Sequence, residues 1–440
     1  MSGFITYLGE VIANINYRRP DYVTMHSNLS KTSRNSSMDL AQTQSKASGK
    51  LSQGIPEALS FDNIINGGTC PPITVREFMN YLEYIERAPE NLQFFLWFRD
   101  YTRRFEKSKP SNPFSTPPAT AKSESKTFDS REYQNDSAVR FHDGAEDDRS
   151  IDKTKSIMNF PPQIIAPWET DFDNEGGFLV EVPSSAQDSY RVIAKKTFDH
   201  VDIKIPDTNL PYRDEIDRII AIYIADDGSR QLNLSSRQRT SLLECLSTTT
   251  HPTAFKPIIE TVEYSLRRQA HPNFVRWSIC NGNRPRQIFA KGLGISLVIL
   301  GWLYAILITL SNMSRGWRAF SAVFWALGIS TLYAALQGMC VVLHGLHHRH
   351  LRPWELWESE ESAVYLEDES RGGKDEEYPW IKKYEKRFII RKIFDREVWV
   401  QEPALRQIQD IIFLQSVLTG LGVAAILTAI FLAVPGGHFF

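Results

Sequence analysis

The chain has 440 residues and carries 50 Lys and Arg against 52 Asp and Glu, a net charge of −2. That balance gives no electrostatic basis for nucleic-acid binding, and the length allows more than one domain. The four cysteines (Cys70, Cys245, Cys280 and Cys340) are scattered without metal spacing, so they suggest no disulfide framework and suit a reducing compartment.

Residues 4–15 form an apolar run that Glu10 interrupts. No basic stretch precedes it, which makes it a poor signal peptide and a candidate interfacial or docking helix. Residues 27–54 are rich in Ser, Asn, Lys and Gln, so residues 1–54 read as largely disordered. Over 74–85, Val75, Phe78, Met79, Leu82 and Ile85 recur at helical spacing. Pro89 breaks that pattern and suits the first turn of a new helix. Glu90 follows, where a helix N-terminus favours negative charge. Leu92, Phe95, Leu96, Phe98 and Tyr101 then continue as a second stripe. The expected unit is helix, tight corner, helix, with Glu90 and Asn91 at the exposed corner and Phe95, Trp97 and Phe98 in the core.

Residues 107–155 are polar and read as disordered, because they bury too little apolar surface to offset chain entropy. Two later pieces, 178–182 and 190–193, alternate like short strands or extended segments. Helical patterning resumes at Asp214, with Ile216, Ile219, Ile220 and Tyr223 on one stripe, and Asp226-Asp227-Gly228 ends it. Ser235 or Ser236 can cap a helix over 237–246. Phe255, Ile258, Ile259, Val262 and Leu266 mark another helix, and a last one starts at His271-Pro272.

Three apolar runs then follow, at 292–310, 320–343 and 411–434. Each approaches or exceeds the ~20 helical residues needed to cross a bilayer. Trp317, Trp354 and Trp357 lie near their ends, where interfacial aromatics sit. Arg284, Arg286, Lys291, Arg349 and Arg352 flank one side, against Arg315 and Arg318 on the other. The bias places the N-terminal part and the polar loop 352–410 in the cytosol, at the plasma membrane or an endomembrane. Gly294, Ser296, Gly420 and Gly422 offer faces for close packing, including with a second copy or another membrane protein. His344 and His348 have i, i+4 spacing, but with no acid or thiol nearby in sequence they read as interfacial residues and not as a metal site. No acid or base interrupts the three runs, which argues against a transporter.

The corner phrase Phe78, Tyr81-Leu82, Glu90-Asn91, Phe94-Phe95 resembles the signature of the RGS domain, the regulator of G-protein signalling module. Gln231-Leu232-Asn233-Leu234-Ser235-Ser236 resembles the RGS loop whose Asn reaches the Gα active site. Phe274-Val275-Arg276-Trp277 resembles the closing aromatic-x-Arg-aromatic phrase. The whole arrangement is similar to fungal membrane-anchored RGS proteins, including the Rax-type bud-site-selection proteins. The resemblance implies an all-α fold: an RGS-like helical bundle over 55–283, with a long disordered insertion at 106–210, followed by three transmembrane helices. It implies that Glu90, Asn91, Asn233 and Arg276 bind the Gα subunit of a heterotrimeric G protein and speed its GTP hydrolysis. No cofactor, metal or catalytic centre of the chain's own is expected. One departure stands out. Where active RGS domains commonly carry an acidic residue before the final aromatic phrase, this chain has His271-Pro272. A second expectation therefore stays open, a membrane scaffold or cell-polarity landmark that binds a protein partner without activating a GTPase.

Overall fold

The computed structural model describes residues 17–23, 54–108, 184–204, 210–226, 228–356 and 379–437. The expected disorder over 27–53 and the candidate strand at 178–182 lie outside them, as does nearly all of the polar tract 107–155. In chain order the helices are α1 (Phe61–Ile65), α2 (Val75–Tyr81), α3 (Glu90–Ser108), α4 (Ser184–His200), α5 (Arg213–Ile219), α6 (Ser236–Thr248) and α7 (Lys256–Ser265). They continue with α8 (His271–Ile279), α9 (Arg284–Leu310), α10 (Ser321–Leu336) and α11 (Val341–Gly345). Strand β1 (His348–His350), α12 (Pro379–Lys386), α13 (Ile389–Ile393), β2 (Glu397–Trp399) and α14 (Pro403–Ala433) complete the order. The chain divides into one unit of Met1–Arg87 with Ser265–Phe440 and a second of Ala88–Tyr264.

In the first unit, Thr74 caps α2 by accepting from the Glu77 N–H, one of the donors a helix start leaves unpaired. A π-helical turn, Leu82–Glu86, extends α2 and ends at Arg87 in the left-handed region, φ 58°. The wider turn shifts the helical phase. Ile85, expected on the buried stripe, is therefore 47% exposed. Phe78, Tyr81 and Phe274 pack as an aromatic core, with ring centroids 4.9 and 5.6 Å apart across the Phe274 contacts. Trp354 extends it, stacking on Trp277 at 6.0 Å and on Tyr84 at 4.9 Å. Trp354 is thus a buried packing residue and not the interfacial anchor expected from its position.

Three helices are long and apolar enough to cross a membrane: Arg284–Leu310, Arg315–Leu336 and Pro403–Ala433. The expected runs are found with different ends. The first and third helices begin earlier because capped, proline-led turns add polar residues at their starts: Asn283 accepts from the Arg286 N–H, and Glu402 from the Ala404 N–H. The second stops at Leu336, since Gly338 has φ +83°, which favours glycine and leaves the helix. Trp325, buried between Trp302 and Phe431 with centroids 5.7 and 5.5 Å away, fills the bundle with Ala305 and Ala424. At one end, Arg318 donates to the Phe431 and Val434 carbonyls at 2.9 and 2.6 Å. That satisfies acceptors the end of α14 leaves unpaired.

Glycines set the helix separations. A Cβ on Gly294 would meet the Gly328 carbonyl at 3.0 Å, and one on Gly420 the Ala326 carbonyl at 2.7 Å. These two faces are taken up inside the bundle, whereas Ser296 and Gly422 are exposed. Within the expected loop 352–410, the described residues include α12, α13 and β2. β1 and β2 form an antiparallel ribbon with His348 opposite Trp399 and His350 opposite Glu397.

The second unit is helical throughout its described elements. Phe94, Trp97, Tyr101 and Phe105 of α3 turn inward. Trp97 stacks on Tyr101 at 5.1 Å, and Phe255 meets Trp97 edge-on at 5.3 Å. The buried stripe is rotated from the expected one, so Phe95 and Phe98 are only half-buried. Residues 190–193, expected as strand or extended chain, lie in α4. Ala194, Thr197 and Phe198 make its buried face, and the Arg213 guanidinium lies 5.3 Å from the Phe198 ring centroid. The interval 106–210 therefore contributes a helix to this unit. A partly buried polar network borders the core: Trp97 Nε1 donates to Glu215 at 2.7 Å, and Arg104 grips both Glu215 oxygens at 2.6 and 2.9 Å.

Candidate functional site

Three of the four expected site residues lie in the second unit. Glu90 opens α3 and is half-buried, as is Asn91. Burial pushes the Glu90 carboxyl above the usual carboxylate range, while a backbone hydrogen bond and the Arg230 charge pull it back. Arg230 begins the loop that carries Asn233. A second π-helical turn, Ile220–Ile224, ends α5, and the loop is pinned to it. The Arg230 N–H donates to the Ile222 carbonyl at 3.1 Å, and the Leu232 N–H to the Tyr223 carbonyl at 2.9 Å.

Leu232 is buried, so its neighbour Asn233 points out and is exposed. Ser235 caps α6 in a capping box with Gln238, which fixes the far end of the loop. Gly228 is required at the turn before it, because a Cβ there would fall 2.6 Å from the Ile222 carbonyl oxygen. Tyr223 ties the two stretches together. Its ring lies 5.8 Å from that of Phe94. Burial raises its hydroxyl pKa to about 12, against the opposing charge and hydrogen bond of Arg230. The start of α3 and the Asn233 loop thus share one end of this unit.

Arg276 belongs to the first unit and is engaged there. Its guanidinium donates to the Pro20 carbonyl. Its own carbonyl accepts from Arg19 at 2.7 Å. Asn273 exchanges hydrogen bonds with the Val23 backbone at 2.8 and 3.0 Å, and Gln415 of α14 donates to the Tyr17 carbonyl at 2.8 Å. Residues 17–23 therefore lie as a strap along α8. Sequence reading missed this strap, and its only local signal was Arg18-Arg19-Pro20.

His271 and Pro272 are both buried. His271 Nε2 pairs with the Leu59 carbonyl at 2.8 Å, and burial brings its pKa down to about 4. The nearby carboxylate of Glu86 is occupied by Tyr81 and Asn273, at 2.9 and 3.1 Å.

The histidines do have acids beside them, which corrects the reading from local sequence. His344 Nε2 lies 3.2 Å from Asp410 and His347 Nε2 3.8 Å from the same oxygen. His350 takes a contact from Arg286 at 2.8 Å, and Arg286 pairs with Glu397 at 3.0 Å. His344 is on α11 and His348 on β1, so they do not share a helical face. Among the described residues no group of three or more His, Cys, Asp or Glu is placed to hold a metal ion.

Compared with known proteins, the chain matches no family model, no curated protein and no solved structure.

Proposed function

We propose that this chain is a membrane-anchored regulator of heterotrimeric G-protein signalling, whose RGS-like helical domain over 55–283 accelerates GTP hydrolysis by Gα. The observation that carries the reading is the pairing of the Glu90–Asn91 helix start with the loop presenting exposed Asn233, linked through Arg230 and Tyr223. Gα supplies its own arginine and a glutamine that orients the attacking water. A partner that binds the switch loops best in their transition-state geometry speeds the reaction by differential binding. Asn233 would hydrogen-bond the Gα glutamine and threonine side chains, and Glu90 and Asn91 would contact the switch segments. Three candidate spans supply the anchor, with the domain on the cytosolic side by the distribution of Lys and Arg.

A second reading, a scaffold or polarity landmark without GTPase activation, is favoured by two observations. Buried His271-Pro272 presents no carboxylate, and Arg276 is committed to the chain's own Pro20. Single-turnover GTP hydrolysis by Gα, with the full chain in nanodiscs, separates the two. Acceleration that Asn233→Ala removes supports the first reading. No acceleration, with no binding to the aluminium fluoride form of Gα, sinks it in favour of the scaffold. Binding without acceleration points to a tether that reads active Gα.

A further inference from the structure

Residues 386–394, Lys-Arg-Phe-Ile-Ile-Arg-Lys-Ile-Phe, turn large apolar side chains outward around α13. Phe388 is 69% exposed, Ile389 61%, Ile390 57% and Phe394 62%. Soluble surfaces rarely gather such side chains without a partner. The segment is anchored at the mouth of α9: Asn283 Nδ2 donates to the Lys392 carbonyl at 2.5 Å. The Phe394 ring meets Phe289 of α9 edge-on at 6.0 Å, with the Arg286 guanidinium 5.8 Å from the Phe394 ring centroid.

Ile288 and Phe289 are themselves exposed, and the same exposed surface runs on through Leu293, Ile295 and Ile299 of the candidate span. The apolar face of α13 is therefore continuous with the surface that would meet lipid. Cations rim it. Lys386, Arg391 and Arg284 are exposed beside it, with Glu385 the exposed acid on the preceding helix. Arg387 is held by buried Asp395 at 2.9 Å, which fixes the base of the wedge.

We infer that residues 386–394 form an interfacial wedge, its Phe and Ile side chains inserted among the acyl chains of the bilayer that holds α9 and its cations on anionic lipid phosphates. Apolar insertion beneath a basic rim is the chemistry of interfacial membrane elements. The inference rests on α9 spanning a membrane, and the test monitors that separately.

The experiment places a nitroxide label at Ile389→Cys or Ile390→Cys of the full chain, in a Cys70→Ser background. The chain is reconstituted in nanodiscs of phosphatidylcholine with or without phosphatidylglycerol. Oxygen accessibility is compared with that of a water-soluble nickel chelate. Ile299→Cys gives the hydrocarbon reference and Arg76→Cys the aqueous one. The expected result is an oxygen-dominated signal at 389 and 390, deeper with phosphatidylglycerol, with that added depth lost in Lys386→Glu/Arg391→Glu. Signals at 389 and 390 matching Arg76, while Ile299 reads as hydrocarbon, overturn the wedge and assign the face to a protein partner. Depth indifferent to phosphatidylglycerol and to charge reversal overturns the anionic-lipid assignment. An aqueous signal at Ile299 removes the membrane reading itself.

Discussion

Replacing Gly328 by Ala tests how closely α9 and α10 approach. The new Cβ would fall 2.9 Å from the Gly294 carbonyl oxygen, and 2.9 Å from both the Val298 N and one of its methyl groups. Ordinary contact for such an atom begins near 3.4 Å. Two of the obstacles are backbone, which cannot swing aside, so the helices must part by roughly half an ångström. A gap of about that size forfeits a quarter or more of the dispersion attraction of each atom pair along the seam. Overpacking of this kind costs about 1–3 kcal/mol. Gly422 supplies the control, since nothing lies within 4 Å of a Cβ placed there; Gly422→Ala should be neutral or gain up to about 1 kcal/mol from helix propensity. Steric-trapping unfolding of the full chain in bicelles measures both. If Gly328→Ala proves as stable as Gly422→Ala, the two helices do not cross at this glycine and the account of the bundle is wrong.

Two predictions concern pH. The unfolded chain binds a proton at His271 near pH 6.5 and the folded chain only near 4. Stability should therefore fall as pH drops below about 6.5, level off near 4 and lose about 3 kcal/mol at most; the slope should flatten in His271→Gln, and an unchanged slope would remove His271 as the cause. Glu77 behaves in the opposite sense. Burial, and then the Glu355 carboxylate, raise its pKa against the pull of Arg349 and Arg352. The folded state thus holds this proton more tightly, and stability is lost as pH rises. Glu77→Gln should raise the melting temperature at about pH 8 and change it little at about pH 5, whereas equal effects at both would mean the carboxyl does not titrate there.

The apolar helices were legible because some twenty residues without charge have few uses outside a bilayer. Their ends were not, since Asn283 and Glu402 start helices by capping, which adds polar turns that hydropathy discounts. The corner at Glu90 and the Ser235 cap were readable because both are local signals. The α4 helix was hidden: Tyr190, Val192 and Ile193 favour strands, and only the burial of Ala194, Thr197 and Phe198 decides for helix. Trp354 misled for a related reason, since nothing near it in sequence names Tyr84 or Trp277 as partners. The acids beside the histidines, Glu397 and Asp410, also come from far along the chain. Of the expected site, the Glu90 corner was readable from helix chemistry and Asn233 was named by the resemblance alone, while the engagement of Arg276 depends on residues 17–23 and could not be read locally.

The capping of α14 by Arg318 bears on how the membrane part is made. Arg318 is emitted by the ribosome well before the carbonyls of Phe431 and Val434 that it satisfies. Until α14 arrives, the hairpin of the first two candidate spans carries a guanidinium whose carbonyl partners do not yet exist. A chain that ends before α14 thus leaves the Arg318 contact unmade. Arrival of the last helix supplies those acceptors, so the Arg318 contact would close the bundle after the first two helices have packed at Gly294 and Gly328.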